Sequence, residues 1–271
     1  MKFKYLIIAF SIAIITVILV TVLVPVLIAG PEHAQNLRYM TFPLLIFIVL
    51  VLVGMSIFFF LNYRLLSLLE REDWPALAFY LEQKVYRKGQ YSVRNIRILA
   101  SSYLVISDYQ SVLKLESKTQ IAKPSAVDAN ILIFGAARIL SGKYGDAAAF
   151  YKIHMAKCSK KDRQWVRWFF GFSQLLTGEF SSAEPEFASL AVSSNDPLIS
   201  GISAYFLQYF MEKKSANPEK CRQLSETGKS RTVSAVKNPG GWKKEAEKMG
   251  NDVHVAIIRK YVDETGKWLF G

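Results

Sequence analysis

Residues Asn95–Glu116 read NIRILASSYLVISDYQSVLKLE. Apolar side chains recur there at helical spacing on both sides of a polar break at Ser107-Asp108, so the stretch describes two helices joined by a tight turn. The hairpin returns along the chain. Trp74, Tyr109, Tyr144 and Phe180 fall 35, 35 and 36 residues apart. Immediately before each ring stands Asp73, Asp108, Lys143 or Glu179, and one position further upstream the last three hairpins carry Ser107, Gly142 and Gly178. Three residues after the ring come Leu77, Val112, Ala147 and Ala183. A two-helix unit recurring at about 34 residues marks a stacked helical array, because one hairpin alone cannot bury its apolar face. The expected fold is all-α.

Three stretches carry the pattern most clearly: Asn95–Glu116, Phe134–Lys152 (FGAARILSGKYGDAAAFYK) and Phe169–Phe187 (FFGFSQLLTGEFSSAEPEF). They resemble the tetratricopeptide repeat family, in which small residues sit where two helices cross. Ala100, Gly135 and Gly171 match the first small position, and Val112, Ala147 and Ala183 the second. The resemblance implies an α-solenoid that binds other proteins. Two residues depart from it: Arg138 and Gln174 stand where that family usually has a large apolar side chain. A weaker unit, LLSLLEREDWPALAFYLEQ at Leu65–Gln83, runs on from the apolar segment Thr41–Asn62 and reads as a capping variant with Leu77 in a small-residue position. Pro197–Glu212 opens a fifth hairpin, and two or three irregular helices follow, split at Asn238–Gly241. Regular heptads are absent, which argues against a coiled coil.

Ahead of the array lie two segments without a charged residue, Tyr5–Ala29 and Thr41–Asn62. About 20 apolar residues suffice for a helix to cross the hydrocarbon layer, so both are expected to span. Pro25 lies near the end of the first and Pro43 near the start of the second, where a missing amide donor costs little. A cleaved signal peptide is the other reading of the first segment, but its apolar run exceeds the usual signal core of about 7–15 residues. Lys2 and Lys4 precede the first span, Arg38 alone lies in the connector, and Arg64 and Arg71 follow the second. That bias places both termini in the cytoplasm of a bacterial inner membrane and the connector Gly30–Met40 outside. The expected domains are a transmembrane hairpin over 1–62, tetratricopeptide-like repeats over 63–212 and a helical cap over 213–271.

The chain carries a formal net charge of +12. Basic clusters at Lys84–Lys88, Lys152–Arg167 and Lys213–Lys248 suit a protein that works beside an anionic leaflet. Nucleic acid is not the expected partner, because no RNP-like, zinc-finger or helix-turn-helix pattern accompanies the charge. Cys158 and Cys221 lie far apart and outside any CxxC pair, and read as reduced, partly buried thiols.

No catalytic site shows through. Gly228-Lys229-Ser230 ends like a phosphate-binding loop, but Gln223 occupies the position of the required glycine and no apolar strand precedes it. Ser111 and Lys114 have the spacing of a penicillin-binding nucleophile without its partner motifs. His33, His154 and His254 are scattered, so no metal site or cofactor is expected. The candidate partner-binding residues are Trp165, Trp168 and Phe172, which share a helix face, with Arg94 and Arg97 on an earlier helix as carboxylate holders. Core packing is the competing account of the aromatic set.

The sequence therefore points to a non-enzymatic scaffold: a lipid-embedded hairpin carrying repeats that bind protein partners. Two membrane helices followed by such repeats are similar in layout to HemY-type proteins associated with haem biosynthesis, and the likeness is architectural only. The alternative is an accessory subunit of a membrane enzyme or transport assembly, held mainly through its membrane hairpin.

Overall fold

The computed structural model describes residues 11–12, 15–17, 19–20, 43, 46–250 and 253–271, all but the connecting segments of which are helical, with no strand among them. The chain divides into two compact units, Met1–Tyr80 and Leu81–Gly271.

In the first unit, helix α1 (Ile46–Glu70) is the one described helix long and apolar enough to cross a membrane. The expected first span, 5–29, falls mostly outside the described residues; Ile12, Ile15, Val17, Leu19 and Val20 within it are helical and exposed. Of the expected two-span hairpin, one helix of membrane-crossing length lies among the described residues. As expected of a first repeat unit that runs on from the second apolar segment, the helix continues past Asn62 for two further turns to Glu70; Tyr63–Leu69 contains no helix breaker and Leu65 is already buried. Between Ile46 and Asn62 the half-sheltered positions are Ile48, Leu52, Met55, Phe59 and Asn62, and every other side chain is exposed. Their alternating four- and three-residue spacing puts them on one helix face.

Helix α2 (Trp74–Glu82) passes into a π-turn over Gln83–Arg87. The second unit then builds hairpins from α3 (Val93–Val105) and α4 (Tyr109–Ala122), α6 (Ile131–Leu140) and α7 (Tyr144–His154), and α8 (Arg163–Thr177) and α9 (Phe180–Ser193). The short α5 (Pro124–Asp128) fills the connector before α6. Helix α10 (Pro197–Phe206, prolonged by a π-turn over Leu207–Met211) pairs with α11 (Pro218–Val236). Helices α12 (Pro239–Lys248) and α13 (Val253–Phe270) close the chain.

Four of the hairpin turns share one backbone solution, and the α10–α11 turn has no left-handed residue. Glu72, Ser107, Gly142 and Gly178 take left-handed φ values of 54°, 59°, 75° and 83°. The amide of the next residue in each case reaches back five positions, from Asp73 to Leu68, Asp108 to Tyr103, Lys143 to Arg138 and Glu179 to Gln174, at 2.8–3.2 Å. This is the Schellman closure, which satisfies the last carbonyls of the first helix. Asp73 and Asp108 also cap the following helix, accepting from the amides of Ala76 and Ser111. Lys143 cannot accept, and Glu179 makes no side-chain cap, so those two turns rely on the glycine before them.

The first helices of successive hairpins pack in series, α3 on α6, α6 on α8 and α8 on α10. The small residues sit where the two helices of one hairpin cross, Gly135 of α6 against Tyr151 of α7 and Gly171 of α8 against Phe187 of α9. Val112, Ala147 and Ala183 are fully buried. A methyl group added at Gly135 would lie 2.1 Å from Tyr151 Cζ, so only glycine fits beneath that ring. Leu77 occupies its small-residue position fully buried as well.

The two departures from the repeat pattern have physical explanations. Arg138 on α6 donates to both carboxylate oxygens of Glu116 on α4, at 2.5 and 2.9 Å, and lies over the Phe150 ring. It thereby joins consecutive hairpins by a charge pair with little solvent exposure. Gln174 is buried at the end of α8, with its Oε1 unpaired.

The C-terminal helices do more than cap one end. Helix α13 packs on α3, α6, α10 and α12. Its buried positions are Val255, Ile258, Val262, Thr265 and Leu269, a seam of three- and four-residue steps. Trp242 of α12 is wedged beneath it: the indole Nε1 donates to Val262 O, and its ring lies against Gly201 and Gly266.

Candidate functional site

The connectors between hairpins converge on a cavity of about 690 Å³. Its wall is made by residues 129–133, 160–165 and 195–199, closed on the far side by α12 and Val255 of α13. These are the ends where α6, α8 and α10 begin, so the cavity lies at the edge opposite the left-handed turns.

Arg97 reaches this wall from α3. Its Nε donates to Asn130 Oδ1 at 3.1 Å and its Nη2 to Ala129 O at 3.2 Å. Asn130 in turn donates to Ala126 O and Val93 O, which fixes the break between α5 and α6. Both acceptors of Arg97 are neutral, so its charge is not cancelled by them. Trp165 lines the cavity from α8, half-buried, its ring 6.4 Å from those of both Trp168 and Phe169. Asp196 caps α10 through the Leu198 amide at 2.9 Å, and burial raises its carboxyl pKa. Glu245 is tied to Lys248 at 2.5 Å. Lys160 and Lys161 complete the basic side, exposed. The result is a recess with one flat aromatic wall, cationic groups at its mouth and carboxylates already engaged by the protein. Such a recess suits a segment carrying an apolar or aromatic group beside a negative charge.

Of the five residues singled out from sequence, Arg97 and Trp165 meet at this cavity. Arg94 is exposed on α3 and does not line it. Trp168 and Phe172 are corrected: they are core residues. Trp168 is 0% exposed, packed by Phe172, Phe187 and Phe206 with centroids at 5.2–5.8 Å. Phe172 meets Phe206 and Tyr261. The face expected to receive a partner helix is thus covered by the chain's own α9 and α10, with Tyr261 of α13 at the Phe172 end. The spacing of Val255, Ile258, Val262 and Leu269 marks an apolar helix face in the sequence but not the hairpins on which that face packs.

Other candidate residues are structural. His154 Nδ1 pairs with Asp128 Oδ1 at 2.7 Å, tying α7 to α5. Cys158 and Cys221 are buried free thiols with pKa values raised by burial. Tyr103 donates to Glu82 Oε1 at 2.5 Å, and burial pushes the neighbouring Tyr86 hydroxyl up to about 12. Ser111 takes part in the α4 cap, and the Gly228 backbone is pressed against Ala204 and Ala191.

Among the described residues the chain is all-helical, with one helix long and apolar enough to cross a membrane and a recess at the hairpin connectors. The chain belongs to the family described as "Uncharacterised Treponema protein", whose model matches residues 111–271. It is similar to an uncharacterized protein of Treponema pallidum (strain Nichols), 28% identical over 243 residues that cover 87% of this chain and 77% of that protein. No solved structure matches it.

Proposed function

We propose that this protein is a non-enzymatic, membrane-anchored scaffold whose tetratricopeptide-like α-solenoid holds protein partners at the cytoplasmic face of a bacterial inner membrane. The observation that carries the reading is the series of hairpins with identical left-handed closures, stacked through their first helices. Such arrays present extended surfaces and bind other chains. The anchor would be a two-helix hairpin. The half-sheltered face of α1 at Ile48, Leu52, Met55, Phe59 and Asn62 supports it, since a helix alone in lipid has no reason for one preferred face. Arg64 and Arg71 beyond α1 favour cytoplasmic repeats. With α13 lying over the first helices, the partner surface is the recess of Arg97 and Trp165.

The second reading, an accessory subunit held through its membrane helices, draws on the outer face of α1. Gly54 is exposed there with no atom within 4 Å of an added methyl, leaving room for a close helix neighbour.

Photo-crosslinking separates the two. A crosslinker replacing Trp165 should capture defined cytoplasmic proteins from intact membranes if the scaffold reading holds. Capture of membrane subunits alone, through a crosslinker at Ser56, would establish the accessory subunit instead.

A further inference from the structure

In a run of antiparallel helices the two ends of the hairpins form two edges, and over α3–α9 here they differ in charge. The edge of left-handed turns carries Asp108, Lys143, Asp146 and Glu179, with Lys213 and Lys214 following where α10 ends. The connector edge carries Arg87, Lys88 and Arg94 at its first connector, and Lys118 and Lys123 at the second, all exposed. At the third, Lys152, Lys157, Lys160 and Lys161 are exposed. Residues 129–133, 160–162, 164–165 and 195–199 line one cavity, and residues 89–92 line a second with Ala122 and Lys123, so these connectors share an edge. Three carboxylates lie there, Asp128 facing His154, Asp162 the Ser159 hydroxyl and Asp196 the Leu198 amide, and the nine exposed cations outnumber them. The lysines therefore dominate the outward field.

Two exposed isoleucines stand among them. Ile121 in the last turn of α4 is 87% exposed and Ile153 in the last turn of α7 is 65% exposed. Both helices end at the connector edge, so each isoleucine is flanked by lysines, Lys118 and Lys123 for one and Lys152 and Lys157 for the other. Lone exposed apolar residues need no explanation in general. Two at equivalent helix ends, each set between cations, form a repeated arrangement. A polyanion such as nucleic acid has a use for the lysines and none for the isoleucines. An anionic bilayer surface uses both: headgroups attract the ammonium groups and the side chains enter the acyl boundary.

We propose that the connector edge of the helical array is a binding surface for anionic phospholipid. This rests on the reading of α1 as a membrane span, which holds the array at a bilayer and raises the local concentration of headgroups. The edge then sets how the array lies on the leaflet, with the recess of Arg97 and Trp165 opening beside the lipid surface.

The test uses the full chain in nanodiscs of phosphatidylcholine, with or without phosphatidylglycerol. An environment-sensitive fluorophore is attached at Ile121→Cys, and in a second protein at Lys143→Cys on the opposite edge. In phosphatidylglycerol discs the Ile121→Cys label should shift to the blue and be quenched by brominated lipid. Both effects should vanish at high salt, in phosphatidylcholine alone, and when Lys118, Lys123, Lys152 and Lys157 are all changed to Glu. The Lys143→Cys label should respond in neither lipid. Equal emission at Ile121→Cys in the two lipids overturns the proposal, as does a response at both edges. A response to a single-stranded polynucleotide in neutral discs, with none to phosphatidylglycerol, overturns it in favour of nucleic acid. A chain that enters neutral discs without a lipid-dependent shift refutes this surface alone, whereas a chain that fails to enter them refutes the membrane reading as well.

Discussion

The ring of Tyr261 on α13 meets the ring of Phe172 on α8 edge to face, with centroids 5.9 Å apart and planes at 70°. The same tyrosine contacts Phe206 at 4.9 Å, so one residue of the last helix bridges two hairpins of the array. Further along α13, the Trp268 ring packs on Tyr205, and Tyr205 donates to Glu264 at 3.1 Å. A chain ended after Gly250 should therefore expose the aromatic face of α8 and α10, bind a hydrophobic dye and melt at lower temperature. A synthetic peptide of residues 253–270 should reverse both effects when added in excess. Thermal denaturation with and without the peptide checks this.

The two tryptophans of α8 should behave differently. Trp168→Ala removes a fully buried ring and is expected to cost about 3–5 kcal/mol of stability. Trp165→Ala, at the cavity wall, should cost about 1 kcal/mol or less and reduce capture of any partner. Denaturant unfolding paired with crosslinking yield distinguishes the roles.

Gly135→Ala places a methyl group inside the Tyr151 ring. Tyr151 is itself fully buried, so the clash cannot be relieved into solvent. A loss of about 1–3 kcal/mol is expected. Gly145→Ala, where no atom lies within 4 Å, should be neutral or slightly stabilising by comparison.

Arg138→Ala leaves Glu116 without its partner between α4 and α6, at side-chain exposures of 16% and 14%. Breaking a mostly buried pair on one side is expected to cost about 3 kcal/mol. The double variant Arg138→Met/Glu116→Leu should recover most of that loss. A double-mutant cycle on unfolding midpoints reads the coupling directly.

Burial raises the pKa of Asp196 above its ordinary value of 3.8. A carboxyl that binds its proton more tightly when folded disfavours the folded state at neutral pH. That penalty disappears as pH falls from the folded pKa through the unfolded one. Asp196→Asn keeps an acceptor for the Leu198 amide, so it should hold or raise the melting temperature at pH 7 and remove this acid-side contribution. Asp196→Ala, losing the cap, should lower stability by about 1 kcal/mol. Melting curves across the acid range compare the three.

The repeat was legible because turns are local. Ser107, Gly142 and Gly178 announce left-handed closures in the sequence, and each closure needs only backbone partners within six residues. The long-range pairings were not legible. Nothing near Trp168 or Phe172 in sequence indicates that Tyr261 will arrive, and a helix face rich in aromatic rings looks the same whether its cover comes from a partner or from the chain itself. Arg138 misled for a related reason: its charge is balanced by Glu116, 22 positions earlier and one hairpin back. Arg97 and Trp165 could be proposed from helix spacing. Asp196 and Glu245 could not, because their place depends on how α12 returns to the array. The apolar segment beginning at Thr41 was visible from hydropathy, and the helix's continuation to Glu70 from the absence of a breaker after Asn62.

The return of α13 has a consequence for how the array comes apart. A row of hairpins held by neighbour contacts alone frays from its ends, each unit melting nearly independently. Here the last helix touches α3, α6 and α10, so contacts span from the first complete hairpin to the last. Loosening any one hairpin forfeits part of the α13 interface, and losing α13 weakens several hairpins together. The array should unfold as a single cooperative event, with its slowest-exchanging amides shared between the two ends of the unit.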